Sequence, residues 1–300
     1  MAKQSYQDAA ALAARRVEHP AVPVHVAATA VGPVEYARYG TGPAVLVVHG
    51  SGGGWDQGVD WAQRRLPAAR TVLSPSRFGY LGSPLPAGAT TSRQSDAFAA
   101  VLDDAGVNRA DVVALSAGSV AAVRFAAEHP DRVRSLLLES PFLPTRRPRV
   151  IPPVAVVRLL LRSERLLWKL THSPALVGLA AGTRWRDLPD ADREELTAIN
   201  DTMFPLASRR VGTLFDRTVA APEVLEDRLP VADVACPTLV VNAREAVLAT
   251  HDEAQAFVER LPHGRLVDVE TGGHVLIGNV EPLRALVAEF LADPTAYVAA

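Results

Sequence analysis

The 300 residues contain one cysteine, Cys236, and only two methionines. One thiol cannot close an internal disulfide, and the sequence fits a reducing compartment. Neither sign of charge is in excess: 31 basic residues against 33 acidic ones give a net charge of −2. The arginines are scattered rather than striped, so the electrostatic footprint of a nucleic-acid partner is missing. Long hydrophobic runs are missing as well. The most apolar stretch, residues 150–161, is broken by Pro152, Pro153 and Arg158 and is too short to span a bilayer. Residues 1–19 read as an amphipathic helix with Asp8, Arg15 and Arg16 in it, without the apolar core and cleavage pattern of a signal peptide. These shortages point to a soluble, cytoplasmic protein. A hydrophobic share of 48% over this length supplies a core for one large α/β domain with an insertion, or for two modest domains.

What the chain has is alternation. Residues 45–48, 71–73, 112–115, 133–138, 238–241 and 266–269 are β-branched or leucine-rich runs of strand length. Runs this continuous suit strands buried on both faces of a parallel sheet. Helical patterns lie between them at 92–105, 117–128, 252–261 and 282–291, and residues 25–30 and 34–39 read as an antiparallel entry hairpin. The expected fold is therefore α/β, a doubly wound and mostly parallel sheet. From 141 to 235 the rhythm breaks. Only helical pieces appear there, at 154–170, 191–200 and 208–218. The expected division is a core in two parts, 1–140 (with a helical arm at 1–22) and 236–300, and a helical cap at 141–235. Such an insertion covers the carboxyl edge of the sheet, where open α/β sheets bind ligands.

Three motifs at that edge carry chemistry. Residues 112–119, Val-Val-Ala-Leu-Ser-Ala-Gly-Ser, run a buried strand into a small-x-Ser-x-small turn and a small-residue helix. A nucleophile on so sharp a turn has strained backbone angles, and its neighbours two residues away, Ala114 and Gly118, must be small. The bland reading of Ser116 is an ordinary serine at a strand-to-helix turn. Upstream, His49-Gly50-Ser51-Gly52-Gly53-Gly54 closes the first long strand. A glycine-rich loop there lets backbone N–H groups approach an oxyanion closely. Phosphate cradling is the competing reading, but no Gly-Lys-Ser/Thr follows. Downstream, Thr271-Gly272-Gly273-His274 follows the last strand. An elbow serine followed, last in the chain, by a loop histidine makes Ser116 the candidate nucleophile and His274 its base.

With these motifs the sequence resembles the α/β-hydrolase superfamily. It is most similar to bacterial members that open on His-Gly-x-Gly-Gly-Gly-x-Asp-Gln-Gly, here residues 49–58, and carry Pro-Ser-Arg-Phe-Gly-Tyr-Leu, here residues 75–81 followed by Gly82 and Ser83. The resemblance covers nearly all of 34–291 except the cap. It implies an eight-stranded sheet, a helical cap, no cofactor, and an oxyanion hole formed by the N–H groups of Ala117 and of Ser51 or Gly52. One position departs from the family. Where relatives place the triad Asp after the penultimate strand, this chain has Ala246. Loss of that acid alone costs roughly four orders of magnitude in rate, so a replacement is expected. Glu139, at the end of the strand over 133–138, is one candidate; some superfamily members, certain haloalkane dehalogenases among them, take their acid from this place. Glu245 is the alternative acid, although neighbours in an extended segment point in opposite directions, and a site with no acid is the third reading.

The reading that follows is a cofactor-free serine hydrolase of an ester, thioester, lactone or activated C–C bond, acting on a small, partly apolar acyl substrate. A lyase or cyclase, or a silent binder of a small ligand, would use the same fold. Trp168, Met203, Phe204 and Phe215 of the cap read as core more readily than as pocket, with Trp168 and Phe204 the candidates for substrate contact. Asp56, Asp60 and Gln57 are expected to fix the glycine-rich loop, and packing is the first expectation for Arg77 and Tyr80. No spacing among His251, His263, Asp252 and Asp268 suggests a metal site. Arg158, Arg162 and Arg165 among many leucines would also suit a membrane-surface contact, but a helical cap explains the same pattern.

Overall fold

The computed structural model describes residues 5–143, 153–246 and 248–300. The apolar stretch beginning at 150 therefore opens outside the described residues. Eight strands form one sheet: β1 (Val24–Thr29), β2 (Gly32–Tyr39), β3 (Ala44–Val48), β4 (Thr71–Pro75), β5 (Ala110–Leu115), β6 (Val133–Glu139), β7 (Thr238–Ala243) and β8 (Gly264–Val269). Their spatial order is β1-β2-β4-β3-β5-β6-β7-β8. The entry hairpin is antiparallel and β2 meets β4 antiparallel, while every later pairing is parallel. After β3 the chain turns to one side to make β4, then crosses to the other to make β5. The ends of β3 and β5 thus flank the point where the winding reverses, and this is where such sheets open a crevice for ligands.

Strand periodicity sorts the core into two layers. Leu46 and Val48 of β3, Val112 and Ala114 of β5, and Leu136 and Leu138 of β6 point to one face. There they meet Phe98 and Leu102 of α3 (Thr91–Asp104) and Val120 and Phe125 of α4 (Gly118–Glu128). The alternate residues Val45, Val47, Val113, Leu137, Leu239 and Val241 pack on the other face. Their partners are Trp61 and Ala62 of α2 (Trp55–Arg65) and Leu283, Val287 and Phe290 of α12 (Val280–Ala292). Side chains alternate along a strand, so a run apolar at every position must be covered on both faces. α11 (His251–Val258) and α13 (Pro294–Ala299) complete the outer layers, while α1 (Tyr6–Glu18) packs through Ala13 on residues of the segment between β6 and β7.

Between β6 and β7 the regular elements among the described residues are helices: α5 (Val154–Leu160), α6 (Glu164–Thr171), α7 (Pro174–Ala180), α8 (Asp190–Asp201), α9 (Arg210–Phe215) and α10 (Ala221–Leu225). The pattern expected as one helix over 154–170 is two, because Ser163 caps a new start by accepting from Leu166 N. α9 runs through a π-helical turn, Asp216–Ala220, into α10. α7, which opens on Pro174, was not anticipated by the helical periodicity.

Candidate active site

Ser116 sits one residue past β5 with φ of +45°. That left-handed angle is costly for a residue with a side chain and is held here by its neighbours. Its N–H donates to Glu139 O at 3.0 Å, and its carbonyl accepts from Ser119 N, Ser119 Oγ and Phe142 N. Gly118 explains itself by distance: a Cβ there would lie 2.5 Å from His49 O and 2.7 Å from Val48 O. The strand ends of β3 and β5 can approach only because position 118 has no side chain.

The turn after β8 brings His274 to the same point. Ser116 Oγ lies 2.8 Å from Nε2 of His274 across a sequence separation of 158 residues. This is the geometry a hydroxyl nucleophile and its general base require.

The glycine-rich loop is held from several sides. His49 is fully buried, and burial, reinforced by the Arg77 guanidinium, drives its pKa well below the ordinary imidazole range. The neutral ring contacts Gly50 O through Nδ1 at 2.7 Å and accepts from Arg77 N on Nε2 at 2.9 Å. Gln57 Oε1 accepts from Gly50 N, and its Nε2 donates to Thr202 Oγ1. Asp56 takes both arms of Arg209 and the Nε of Arg16. Of the three amides expected in the oxyanion hole, that of Gly52 is committed elsewhere, donating to the Tyr80 hydroxyl at 3.2 Å. Among the described residues the amides of Ala117 and Ser51 donate no hydrogen bond; Ala117 follows Ser116 in the chain, and Ser51 follows Gly50, where a Cβ would lie 3.5 Å from Ser116 Cβ.

The profile of the alpha/beta hydrolase family matches residues 45–289. The chain belongs to this family. It is similar to the 2-hydroxymuconate semialdehyde hydrolase of Pseudomonas putida, at 27% identity over 86% of this chain and 90% of that one. Among solved structures, an alpha/beta hydrolase fold protein from Nakamurella multipartita superposes with a TM-score of 0.70 at 24% identity, over 90% of this chain and 99% of that one. An enol-lactonase from Burkholderia xenovorans shares the fold at a TM-score of 0.67 and 16% identity, over 91% and 100% of the two chains.

In this member of the family the position expected for the triad Asp is a buried alanine, Ala246. The two candidate carboxylates occupy different places. Glu139 ends β6 beside Leu115 of β5 and is buried. It follows Leu137 on the α2 face, where Trp61 Nε1 donates to its Oε2 at 2.8 Å. Burial raises its pKa, against the pull of the Arg65 charge and the Trp61 hydrogen bond. Arg65 is itself buried and pairs with Glu195 of α8 at 3.3 Å. Glu245 instead directs Oε1 at the backbone amides of Gly272 and Gly273, at 2.7 and 3.0 Å.

The side chains of the inserted segment also separate by role. Phe204, 2% exposed, packs with Ala13, Leu161 and Leu206. Trp168 joins that cluster, stacked on His172 at 4.7 Å and edge-on to Tyr6 at 5.9 Å. Both contribute to a small core between α1 and the inserted helices. Met203 reaches the glycine-rich loop instead. A Cβ on Gly52 would lie 2.9 Å from Met203 Cε, a contact between residues 151 apart in number that no local pattern announces. Arg77 and Tyr80 are buried in a network with Asp216: Arg77 Nη2 at 2.9 Å and the Tyr80 hydroxyl at 2.6 Å. Burial and the Asp216 charge push the phenol's pKa well up, so it remains a donor. Among the described residues there is no cluster of groups suited to a metal ion, and no helix is long and apolar enough to cross a membrane.

Proposed function

We propose that this protein is a serine hydrolase of a small, partly apolar ester, thioester, lactone or activated C–C substrate, working through an acyl-enzyme on Ser116. The observation that carries the reading is Ser116 Oγ at 2.8 Å from His274 Nε2 on an elbow with positive φ. His274 takes the hydroxyl proton as Oγ attacks the carbonyl carbon. The oxyanion so formed lies between the Ala117 and Ser51 amides, with the start of α4 behind it favouring negative charge. As the tetrahedral intermediate collapses, His274 returns the proton to the leaving group. A water then attacks the acyl carbon by the same route and frees Ser116.

Glu139 is the acid in this scheme. It is buried beside the nucleophile strand and fixed by Trp61, whereas the near oxygen of Glu245 is taken up by two amides. The helices between β6 and β7 act as a cap, with Met203 against Gly52 of the glycine-rich loop. Hydrolysis of a small carbonyl compound accords with the activity for which the Pseudomonas putida relative is named.

A fluorophosphonate probe tests the assignment, because only an activated serine labels rapidly. Labelling is expected on Ser116, and Ser116→Ala is expected to abolish it and to lower turnover of a p-nitrophenyl ester by about four to six orders of magnitude with unchanged far-UV circular dichroism. Near-normal turnover by that variant would remove Ser116 from the mechanism. A wild-type chain that neither labels nor turns over esters would favour a ligand-binding role for the same crevice, for which Ala246 at the usual acid position is the motivating feature.

A further inference from the structure

Gly272 and Gly273 immediately precede His274, and both have positive φ, 123° and 60°. Consecutive residues turned this way can direct their N–H groups at one point, a concave donor pair suited to an anion. One carboxylate oxygen fills it: Glu245 Oε1 accepts from both amides, at 2.7 and 3.0 Å. Neither partner is free to drift. A Cβ on Gly272 would lie 2.7 Å from Asn279 Nδ2 and from Ile277 O, so the turn is packed tightly on its far side. On the near side, Gly182 of the inserted segment leaves the space the carboxylate uses, since a Cβ there would lie 2.7 Å from Oε1.

We propose that Glu245 is a positioning residue, whose side-chain oxygen on these two amides holds the His274 loop so that the imidazole meets Ser116. The inference rests on the hydrolase reading above and gives Glu245 no contact with substrate and no proton to carry. Two successive glycines have more conformational freedom to lose on ordering than any other pair. Hydrogen bonds to an ionised acceptor are roughly twice as strong as neutral ones and offset that loss where it matters. The alternative, that Glu245 orients the imidazole as the triad acid, makes a different demand. A positioning acceptor needs an oxygen at the right place, and a glutamine supplies one. A triad acid needs the charge, and a glutamine there is nearly as damaging as an alanine.

Glu245→Gln and Glu245→Ala separate the two. Misplacement of a catalytic group by about 1 Å can cost on the order of a hundredfold. Glu245→Ala is therefore expected to slow both fluorophosphonate labelling and ester kcat by about 10- to 100-fold, with KM within about threefold. Glu245→Gln is expected to stay within about fivefold of wild type, because it keeps a neutral acceptor. Hydrogen exchange reads the hold itself: the Gly272 and Gly273 amides should exchange at least about tenfold faster in the alanine variant, and at an intermediate rate in the glutamine variant. Equal losses of about a thousandfold in both variants would overturn the proposal by making Glu245 the acid. Unchanged exchange and labelling in Glu245→Ala would overturn it as well, while leaving the hydrolase reading in place. A wild-type chain that does not label removes the hydrolase reading, and the positioning role falls with it.

Discussion

At the scale of single residues, the proposed reading places Glu139 under two opposed demands. An acid that orients an imidazole must be ionised, yet Glu139 is buried, and burial raises its pKa despite Arg65 and Trp61. A carboxyl whose pKa is higher in the folded than in the unfolded state binds its proton more tightly when folded. Stability then falls as pH rises through the window from the ordinary carboxylate range up to the raised folded value. Glu139→Gln removes this penalty, and its oxygen still accepts from Trp61. We expect the variant to be more stable than wild type at pH 7 to 8 and the difference to shrink toward pH 4.5, read as melting temperature against pH. The same variant should lose about three to four orders of magnitude in turnover. A variant that is both destabilised at neutral pH and fully active would remove Glu139 from the site. Ser116 and His274 were legible in the sequence because each stands in a motif whose backbone conformation demands small neighbours. The acid was not. A single glutamate carries no pattern, and the choice between 139 and 245 turns on which donors surround each carboxylate in space.

Elements tell a similar story at larger range. The strands were readable to within a few residues because burial on both faces leaves a continuous apolar run, and the two layers of helices follow from that. What the inserted helices do to the glycine-rich loop was not readable. Met203 lies against Gly52, Thr202 is bonded to Gln57, and Tyr80, joined to Asp216, takes the Gly52 amide. The contacts made by the insertion bridge 136 to 151 positions, and no periodicity spans such distances. They also divide the side chains of the insertion into two kinds. Met203→Ala should change the preference among ester chain lengths with a small loss of stability, since the side chain is only half-buried. Phe204→Ala should do the reverse, costing about 3–5 kcal/mol as a deleted aromatic core residue while preference is kept. Chain-length profiles alongside urea denaturation of the two variants check this. A changed preference in Phe204→Ala with unaltered stability would show that its ring faces the substrate.

At the scale of the whole molecule, the inserted helices are tied to the sheet by charge as well as by apolar packing. Arg209 is fully buried and grips Asp56 at 3.0 and 2.7 Å, while Arg16 of α1 holds the same carboxylate at 2.9 Å and the carbonyls of Asp201 and Phe204. Asp216 pairs with Arg77, Glu195 with Arg65, and Glu223 with Arg124 and Thr91. In each of these pairs except Arg16–Asp56, one partner belongs to the insertion and the other to the rest of the chain. Buried pairs of this kind add little over a well-packed apolar substitute, but breaking one side strands a charge in low dielectric. Partial undocking of the insertion would strand several at once. The sheet and the insertion should therefore unfold together, even though the sequence rhythm divides them cleanly. Four tryptophans report on the two parts: Trp55 and Trp61 in α2, and Trp168 and Trp185 in the insertion. Single-tryptophan variants from each part should show coincident urea transitions, matching far-UV circular dichroism. Arg209→Met keeps the bulk, removes the charge, and should cost about 3–5 kcal/mol, lowering the midpoint of both sets of probes equally. Arg16→Ala should shift them less, because its side chain is partly exposed and Arg209 still covers both Asp56 oxygens. If Trp168 and Trp185 instead lose structure well before Trp55 and Trp61 in the wild-type chain, the ion pairs do not couple the two parts, and the insertion opens on its own over a sheet that stays folded.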